Sequence, residues 1–597
     1  MLNQRLLLLL ANKYSYRGHM QRSVLVLLST FSSALFASPY PLPTTSDATG
    51  DQFMVSATNQ YVTSTGYSIL KQGGNAIDAM VAMQMVMSVV EPDMTGIGGG
   101  TFALYYEKAS NSFIAYDGRD AAPSSATPDM FLDENGKAIS RNEILGPRSV
   151  AIPGTLKLLY TTHQKHGKLE WAELLKPAID YAENGYSMNS YTYDIVVREE
   201  SRLEDDPELH SLYWEDGEIK PTGTKMTNPE LAETLKQIAK HGDSYLYQGP
   251  LAEHIVQTVN ARLGDNSHPL SVKDFNNYQV IERDIVQSTY RGHDIISFGY
   301  PASGGVLVAQ SLEMLESHKI NEMHYTDAEP WRLMTEAMRL AKEDRIAYAG
   351  DPSFVDTPVN ELLDKDYLQA RGELIPKQGI MSKEDVKPGK VSAKNQASLD
   401  GFESQDTGHI SIVDAQGNAI AMTSTVGTGM GSGVMVDGVL LNAQMANFSS
   451  TPKVNGQALK NAIMPGKRPR SAITPLMVMA PSGDLKLVVG SPGSSQIPGY
   501  VLKTVVGVID WDMSAQSAID LPNIQYGTKI DRTKPYNPTG LLVEKRTFAE
   551  ILVPEFTEMG YEVHVIPVVS GLNAIEFKDG KLYGATDRRR ASTSLGD

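Results

Sequence analysis

The stretch "ESQDTGHISIVDAQGNAIAMTSTV", residues 403 to 426, decides the fold. A turn-like Asp-Thr-Gly-His cluster stands directly before "HISIVD" and "NAIAMTST", which alternate apolar and polar residues as strands do. Ala415-Gln416-Gly417 supplies a turn between them. Pairing Asp414 with Asn418 sets the register, and the same register places Thr407 opposite Thr425. A slip of one residue would put the two threonines on opposite faces. The stretch is either a plain surface hairpin or a new N-terminus hidden until the chain is cut.

Facing threonines are common in sheets and carry little information alone. A threonine that becomes N-terminal is different. Its Oγ is then the nucleophile and its own α-amino group the base. An α-amine has an unperturbed pKa near ~8, so a useful share of it is unprotonated near neutrality. Residues 380–406, just upstream, are polar and rich in Lys, Ser and Gln. That is the texture of a flexible, exposed segment behind which a chain can be cut.

From Thr407 onward the texture is of strands ("LMVMAP", "LKLVVGS") and then helices such as "GYVLKTVVGVIDW". Upstream, residues 154–185, 225–262 and 330–350 read as helices, the last closed by Gly350. "YVTSTGYSILKQGGNAIDAMVAMQMVMSVV" reads as two helices broken at Gly73-Gly74, with Ala79, Met80, Met83 and Met87 as a core stripe. "TGIGGGTFALYY" puts its glycines before an alternating strand, the reverse of a phosphate-cradling loop. Mixed strands and helices along the chain predict a multilayer α/β sandwich. No internal repeat is visible.

Composition sets the outer limits. The chain has 597 residues, 41% hydrophobic, and a formal net charge of −17. That acidity disfavours sequence-independent nucleic-acid binding, which needs dense Lys and Arg. With no Cys there is no disulfide, no thiolate catalysis and no Cys-bound zinc. No metal-ligand spacing and no cofactor motif stand out. A basic start, the apolar run "SVLVLLSTFSSALFA" and small residues near Ala37 read as a secretory signal over residues 1–37, with Met20 a candidate true start. The alternative is a buried N-terminal helix. The run is too short for a membrane span, and no later run reaches the roughly 18 apolar residues that spanning takes. Residues 38–50, "SPYPLPTTSDATG", read as a mobile lead-in. A periplasmic or secreted protein is the expectation.

Several blocks in one order then carry a resemblance: "GGNAIDA" (73–79), "GIGGGTF" (96–102), "SVAIPGT" (149–155), "PASGG" (301–305), "GDPSF" (350–354), "DTGHISIVD" (406–414), "LLNAQMANF" (440–448), "GKRPRSAITP" (466–475) and "GSPGSS" (490–495). The chain resembles the γ-glutamyltransferase (glutathione hydrolase) family of N-terminal-nucleophile hydrolases over nearly everything after the signal. The resemblance implies a four-layer αββα sandwich built from two pieces of one self-cleaved precursor. The cut would fall between Asp406 and Thr407. It would leave a large subunit, 38–406, and a small catalytic subunit, 407–597, associated as a heterodimer.

The resemblance also implies roles. Thr407 is the nucleophile and Thr425 orients it. Backbone N–H groups at Gly493 and Ser494 form the oxyanion hole, where the family more often has Gly at the second position. Arg119 in "YDGRD" matches the arginine that holds the donor's α-carboxylate. Ser471 and Ala472 match a serine pair beside that carboxylate, so one hydroxyl is missing. Gln444 is kept among the partners of the donor's α-ammonium, but Asn447 stands where the well-known transferases have an acid, and Gly427 where Asn is frequent. A neutral amide is a poorer partner than a carboxylate for an ammonium. The pattern is similar to the cephalosporin-acylase branch, whose glutaryl-type side chains lack the amine. The segment from Phe448 to Arg468 resembles the family's lid, shortened and mobile. The expected activity is cleavage of γ-glutamyl amides such as glutathione, with transfer of the acyl group. The alternatives are a glutaryl-type acylase and a non-catalytic binding protein on the same fold.

Overall fold

A computed structural model describes residues 48–264, 268–392, 406–527 and 539–597. The signal-like segment, the lead-in up to residue 47 and residues 393–405 before the cut lie outside the described residues. Fourteen strands build the sandwich: β1 Ala48–Gly50, β2 Met54–Ala57, β3 Gly100–Glu107, β4 Ser112–Gly118, β5 Ile281–Arg283, β6 Ile285–Tyr290, β7 His293–Phe298, β8 Gly408–Val413, β9 Ala419–Thr425, β10 Leu476–Met479, β11 Leu485–Gly490, β12 Asn573–Lys578, β13 Lys581–Thr586 and β14 Thr593–Gly596. They form two seven-stranded sheets, in the orders β14-β2-β8-β9-β3-β4-β5 and β1-β13-β12-β11-β10-β7-β6. Neighbours pair antiparallel in both, from β8 with β9 at the centre of the first sheet to β11 with β12 in the second. Both sheets take strands from either side of Thr407, so the halves are interleaved.

The inner faces of the sheets meet, and helices cover the outer faces. On the first sheet lie α1 Gln60–Lys71 and α2 Ala76–Val90. On the second lie α4 Gly304–Leu315, α5 Ile497–Ile509 and α6 Ala515–Asp520. Helix α3, Ser190–Leu203, packs into the core on the first sheet's side and borders Asp406. Helix α2 is buried along all fifteen residues, not only along the stripe of Ala79, Met80, Met83 and Met87. It is clamped between the first sheet and an outer helix, so it needs no polar face. Asn75 and Asp78 form a capping box at its start. Asp414, at the hairpin turn, accepts the Ala76 amide at 2.9 Å, which ties the β8–β9 hairpin to that helix.

Strands β3, β8 and β9 alternate in sequence but are buried on both faces, apart from Glu107 at the end of β3. The polar face of β8, with His409 and Ser411, looks at the second sheet rather than at water. Burial pushes the His409 imidazole down to about 3, so it stays neutral. Its ring bonds the hydroxyls of Thr423 (2.7 Å) and Ser411 (3.1 Å).

Three expectations of order change. Residues 48–50 are an edge strand, paired with Leu582 to Gly584, not part of a loose lead-in. Residues 380–392 are tethered: Met381 N donates to Glu336 (2.9 Å) and Gly389 N to Asp344 (2.7 Å). The long helix ends at Tyr348, two residues before Gly350. No helix of the described residues is long and apolar enough to cross a membrane.

Candidate active site

The hairpin register follows from the turn. Gly408 pairs with Ser424 and Val413 with Ala419, and Asp414 N donates to Asn418 O at 2.9 Å. One step above the ladder, the Thr425 hydroxyl donates to the carbonyl oxygen of Asp406 at 3.0 Å and accepts the Gly427 amide at 2.9 Å. In this uncleaved chain the Thr425 hydroxyl therefore reaches the peptide that joins Asp406 to Thr407.

Around that peptide lies a cavity of about 20 Å³, the size of one water molecule. Thr407, Thr425, Gly427, Arg119, Asn447, Ser471, Ala472 and Ser494 line it, with Ile473 and Ile497 as apolar walls. Gly493 and Gln444 do not line it. Gln444 sits behind: its side-chain amide reaches Thr425 O at 3.4 Å, and its Oε1 accepts from Asn447 Nδ2 at 2.9 Å.

Three segments distant in sequence bring these groups together. The first is the turn after β4. Asp117 caps the Arg119 amide at 2.8 Å and is itself paired with Arg283 (2.8 Å) and Arg468 (2.7 Å). Arg119 is fully buried; its Nε donates to Pro469 O at 3.4 Å. Asp120 lies 3.8 Å from the Arg119 guanidinium, and burial pushes its carboxyl up to about 8 in spite of that neighbour.

The second segment is 466–475. Ser471 makes a parallel bridge with Ala302, its amide donates to Pro301 O, and its own carbonyl accepts from Ser303 N (2.7 Å) and Ser303 Oγ (2.6 Å). The "PASGG" block is thus the shelf for Ser471. The third is the loop of 440–448, fixed by Asn442. That side chain accepts the Ala151 amide (3.0 Å) and donates to Gly98 O (2.9 Å) and Ala151 O (2.8 Å).

The glycine run 98–100 serves the same assembly. A Cβ there would collide with the Leu440 carbonyl, the Thr425 carbonyl and the Asp120 carboxylate in turn. Backbone crowding, not phosphate binding, requires glycine. Gly427 has φ +98 and lies against Ala443 and Gln444, so an asparagine there would be strained. Ser494 holds φ +63, the left-handed region that glycine takes without cost.

The segment 448–468 is not loose. Asn461 Nδ2 donates to Asn447 O at 2.8 Å, Lys467 Nζ donates to Lys460 O (2.6 Å) and Ala462 O (2.9 Å), and a short hairpin at 453–458 and the turn at 464–466 are its exposed parts.

Sequence reasoning missed the surroundings of Asp406. Its carboxylate accepts from Tyr191 OH (3.0 Å), Gly429 N (2.7 Å) and Arg198 Nη2 (3.3 Å). Tyr191, Ile195 and Arg198 are spaced i, i+4, i+7 on α3, the one local sign that this helix turns a face toward the site. Asp93 is close by. Burial, then Glu91 and Asp406, push its carboxyl up to about 7, against a hydrogen bond from Thr192.

Two interleaved sheets between helix layers, with a threonine at the start of a central strand, define the N-terminal-nucleophile hydrolase fold. Cephalosporin acylase from Bacillus halodurans shares it, with a TM-score of 0.80 over 94% of this chain and 98% of that one at 24% identity. The γ-glutamyltranspeptidase of Helicobacter pylori has a TM-score of 0.53 at 30% identity, over 59% of this chain and 97% of that one. The family model for gamma-glutamyltranspeptidase matches residues 62–596. The glutathione hydrolase proenzyme of Escherichia coli (strain K12) is 32% identical over 549 residues, 90% of each chain. The acylase ACY 1 proenzyme of Pseudomonas sp. (strain V22) is 32% identical over 575 residues, 94% of this chain and 97% of that one. The chain belongs to the γ-glutamyltranspeptidase family and is an enzyme of that family.

Proposed function

We propose that the chain is a self-cleaving precursor of an N-terminal-threonine amidohydrolase. It would act on γ-glutamyl amides such as glutathione and pass the acyl group to water or to an amine. One observation carries the reading: the two threonines, Thr407 and Thr425, and the buried Arg119 share one small cavity beside the Asp406–Thr407 peptide. In maturation Thr407 Oγ attacks the Asp406 carbonyl, the peptide becomes an ester, and water releases it. The freed α-amine of Thr407 then serves as base for its own hydroxyl, held by Thr425. Arg119 and the Ser471 hydroxyl receive the donor's α-carboxylate, and the amides of Gly493 and Ser494 receive the oxyanion. The large and small chains stay together because both sheets contain strands of each. The proenzyme names of the relatives support a processed precursor. The signal-like start supports a periplasmic or secreted enzyme.

A second reading has its own observation. Arg119 is the only charged side chain lining the cavity among the described residues, and Asn447 is neutral. A site that binds a carboxylate and offers no acid to an ammonium also suits a glutaryl-type acyl group. Two measurements test the readings. N-terminal sequencing of the small fragment on a denaturing gel should give Thr-Gly-His-Ile; any other start removes Thr407 as nucleophile. The matured enzyme should cleave γ-glutamyl anilides faster than glutaryl anilides, and the reverse order would select the acylase.

A further inference from the structure

We infer that helix α3 is a maturation clamp: Tyr191 and Arg198, with the Gly429 amide, hold the Asp406 side chain and thereby aim the Asp406–Thr407 peptide for cleavage. The inference rests on the proposed self-cleavage and assigns positioning residues to it.

Asp406 is 3% exposed, although it follows a polar segment and lies beside the bond to be broken. A carboxylate buried without partners would cost several kcal/mol, so its place must be built. Oδ1 accepts from Tyr191 OH at 3.0 Å. Oδ2 accepts from Gly429 N at 2.7 Å and from Arg198 Nη2 at 3.3 Å. The main-chain carbonyl accepts from Thr425 Oγ1 at 3.0 Å. Among the described residues these four donors meet on Asp406, and three of them touch atoms that take no part in the bond-breaking step.

The clamp is itself held. Asn189 caps α3 at Thr192 N (2.8 Å), and the Thr192 hydroxyl donates to Asp93 at 3.0 Å. Arg202, one turn beyond Arg198, donates to Gly429 O (2.6 Å) and Gly431 O (2.9 Å), so the same helix fixes the loop that supplies the Gly429 amide. A Cβ on Gly429 would meet Arg198 Nη2 at 2.6 Å and Asp406 Oδ2 at 3.0 Å. On the other side of the scissile bond, Arg590 donates to Tyr191 OH (3.0 Å) and to Thr407 O (3.4 Å), with its guanidinium 4.4 Å from the Tyr191 ring centre.

The chemistry explains the need. Thr407 Oγ must approach the Asp406 carbonyl carbon along one direction. The new C–O bond forms as the C–N bond breaks, and the hydroxyl proton ends on the Thr407 nitrogen. Water then cleaves the ester, giving Asp406 a terminal carboxylate and returning a hydrogen to Oγ. Pinning the Asp406 side chain restricts rotation of its peptide plane, which keeps the carbonyl within reach of attack. It also keeps the carbonyl oxygen on the Thr425 hydroxyl, which stabilises the developing charge.

The test is a time course of self-cleavage on freshly synthesised full-length precursor, with folding of each variant checked by circular dichroism. Arg198→Ala should cleave roughly three- to tenfold more slowly, a modest factor because the Arg198 side chain is 47% exposed and its pair is partly screened. Arg198→Lys should recover part of the rate, and Tyr191→Phe should also be slow. Arg198→Ala combined with Asp406→Asn should be no slower than Asp406→Asn alone, since both remove one interaction. The matured fraction of the Arg198 variants should turn over substrate at the wild-type rate. Wild-type cleavage in Arg198→Ala and Tyr191→Phe, or full additivity in the double variant, would overturn the clamp. A wild-type chain that never cleaves would instead remove the self-cleavage reading beneath it.

Discussion

Asn447→Asp places a charge where the cavity has none beside the expected donor amine. Asn447 is 6% exposed, and its Nδ2 donates to Gln444 Oε1 at 2.9 Å. An aspartate loses that donor and faces the Gln444 oxygen, so Gln444 must turn its amide, at the expense of a 3.4 Å contact to Thr425 O. Losing one neutral hydrogen bond costs about 1 kcal/mol, and burying a new carboxylate costs more. Both penalties act whichever substrate is bound, so they cancel in a ratio of substrates. What does not cancel is the charge-assisted bond to an α-ammonium, worth about 1.5–3 kcal/mol. The ratio of γ-glutamyl to glutaryl kcat/KM should therefore rise by about ten- to a hundredfold. Gly427 has no side chain to supply the other partner, so absolute γ-glutamyl activity need not reach that of a full transferase. The assay is both anilides on both proteins at one pH, with rates normalised to the matured fraction. An unmoved or lower ratio would mean that residue 447 does not face the donor's α-position, and the case for an acylase-like pocket would go with it.

Thr425→Ala removes the hydroxyl that reaches the Asp406 carbonyl; self-cleavage followed on gels should slow by about tenfold or more with the fold kept, and a wild-type rate would break the register argument. Arg119→Lys cannot form a planar fork, so KM for a carboxylate-bearing donor should rise by about one to two decades, and an unchanged KM would take Arg119 out of the site. Ser494→Gly relieves a left-handed serine while keeping its backbone N–H; chemical unfolding should show a gain of zero to about 1 kcal/mol and kcat should hold within about twofold, whereas a large loss of activity would show that the side chain acts. Asp120→Asn tests the carboxyl pushed up to about 8. A raised carboxyl keeps its proton in the folded state and loses it in the unfolded state between about 4 and 8, so wild-type stability falls as pH rises through that window. In the single-chain Thr407→Ala background the variant should gain most, relative to its parent, near pH 8 and least near pH 5, and a pH-independent difference would refute the assignment.

The hairpin was legible because period-two patterning and a three-residue turn fix its register almost alone. The same patterning does not report exposure. His409 and Ser411 are the polar half of an alternating strand, yet they meet a second sheet, as in the 3.4 Å contact from Ser411 to Asn573 O, 162 residues away. Local periodicity cannot report a partner sheet. The segment 448–468 misled for a related reason: its Asn, Gly and Lys read as loop composition, but Asn461 donates to the Asn447 carbonyl and Lys467 to carbonyls within the segment itself. Tyr191 and Arg198 left only a faint trace, because a helix face records that something is covered and not what covers it.

In the uncleaved chain, maturation and turnover compete for one place. The Thr425 hydroxyl is engaged by the Asp406 carbonyl, and the free space beside Thr407 and Arg119 is about 20 Å³, room for about one water molecule. On the proposed reading, the acyl group that maturation consumes stands where the substrate's acyl group must later stand. On that reading, cleavage frees the Thr407 amine, releases the Thr425 hydroxyl to face Thr407, and gives the Asp406 end a second carboxylate in the neighbourhood of Asp93. Departure of the tail would then clear the donor site. A substitution can thus lower activity by either route, through slow cleavage or through a poor site. The two routes separate only when turnover is expressed per matured chain, and the Thr425 and Arg198 variants should then diverge: Thr425→Ala slow in both steps, Arg198→Ala slow in the first alone.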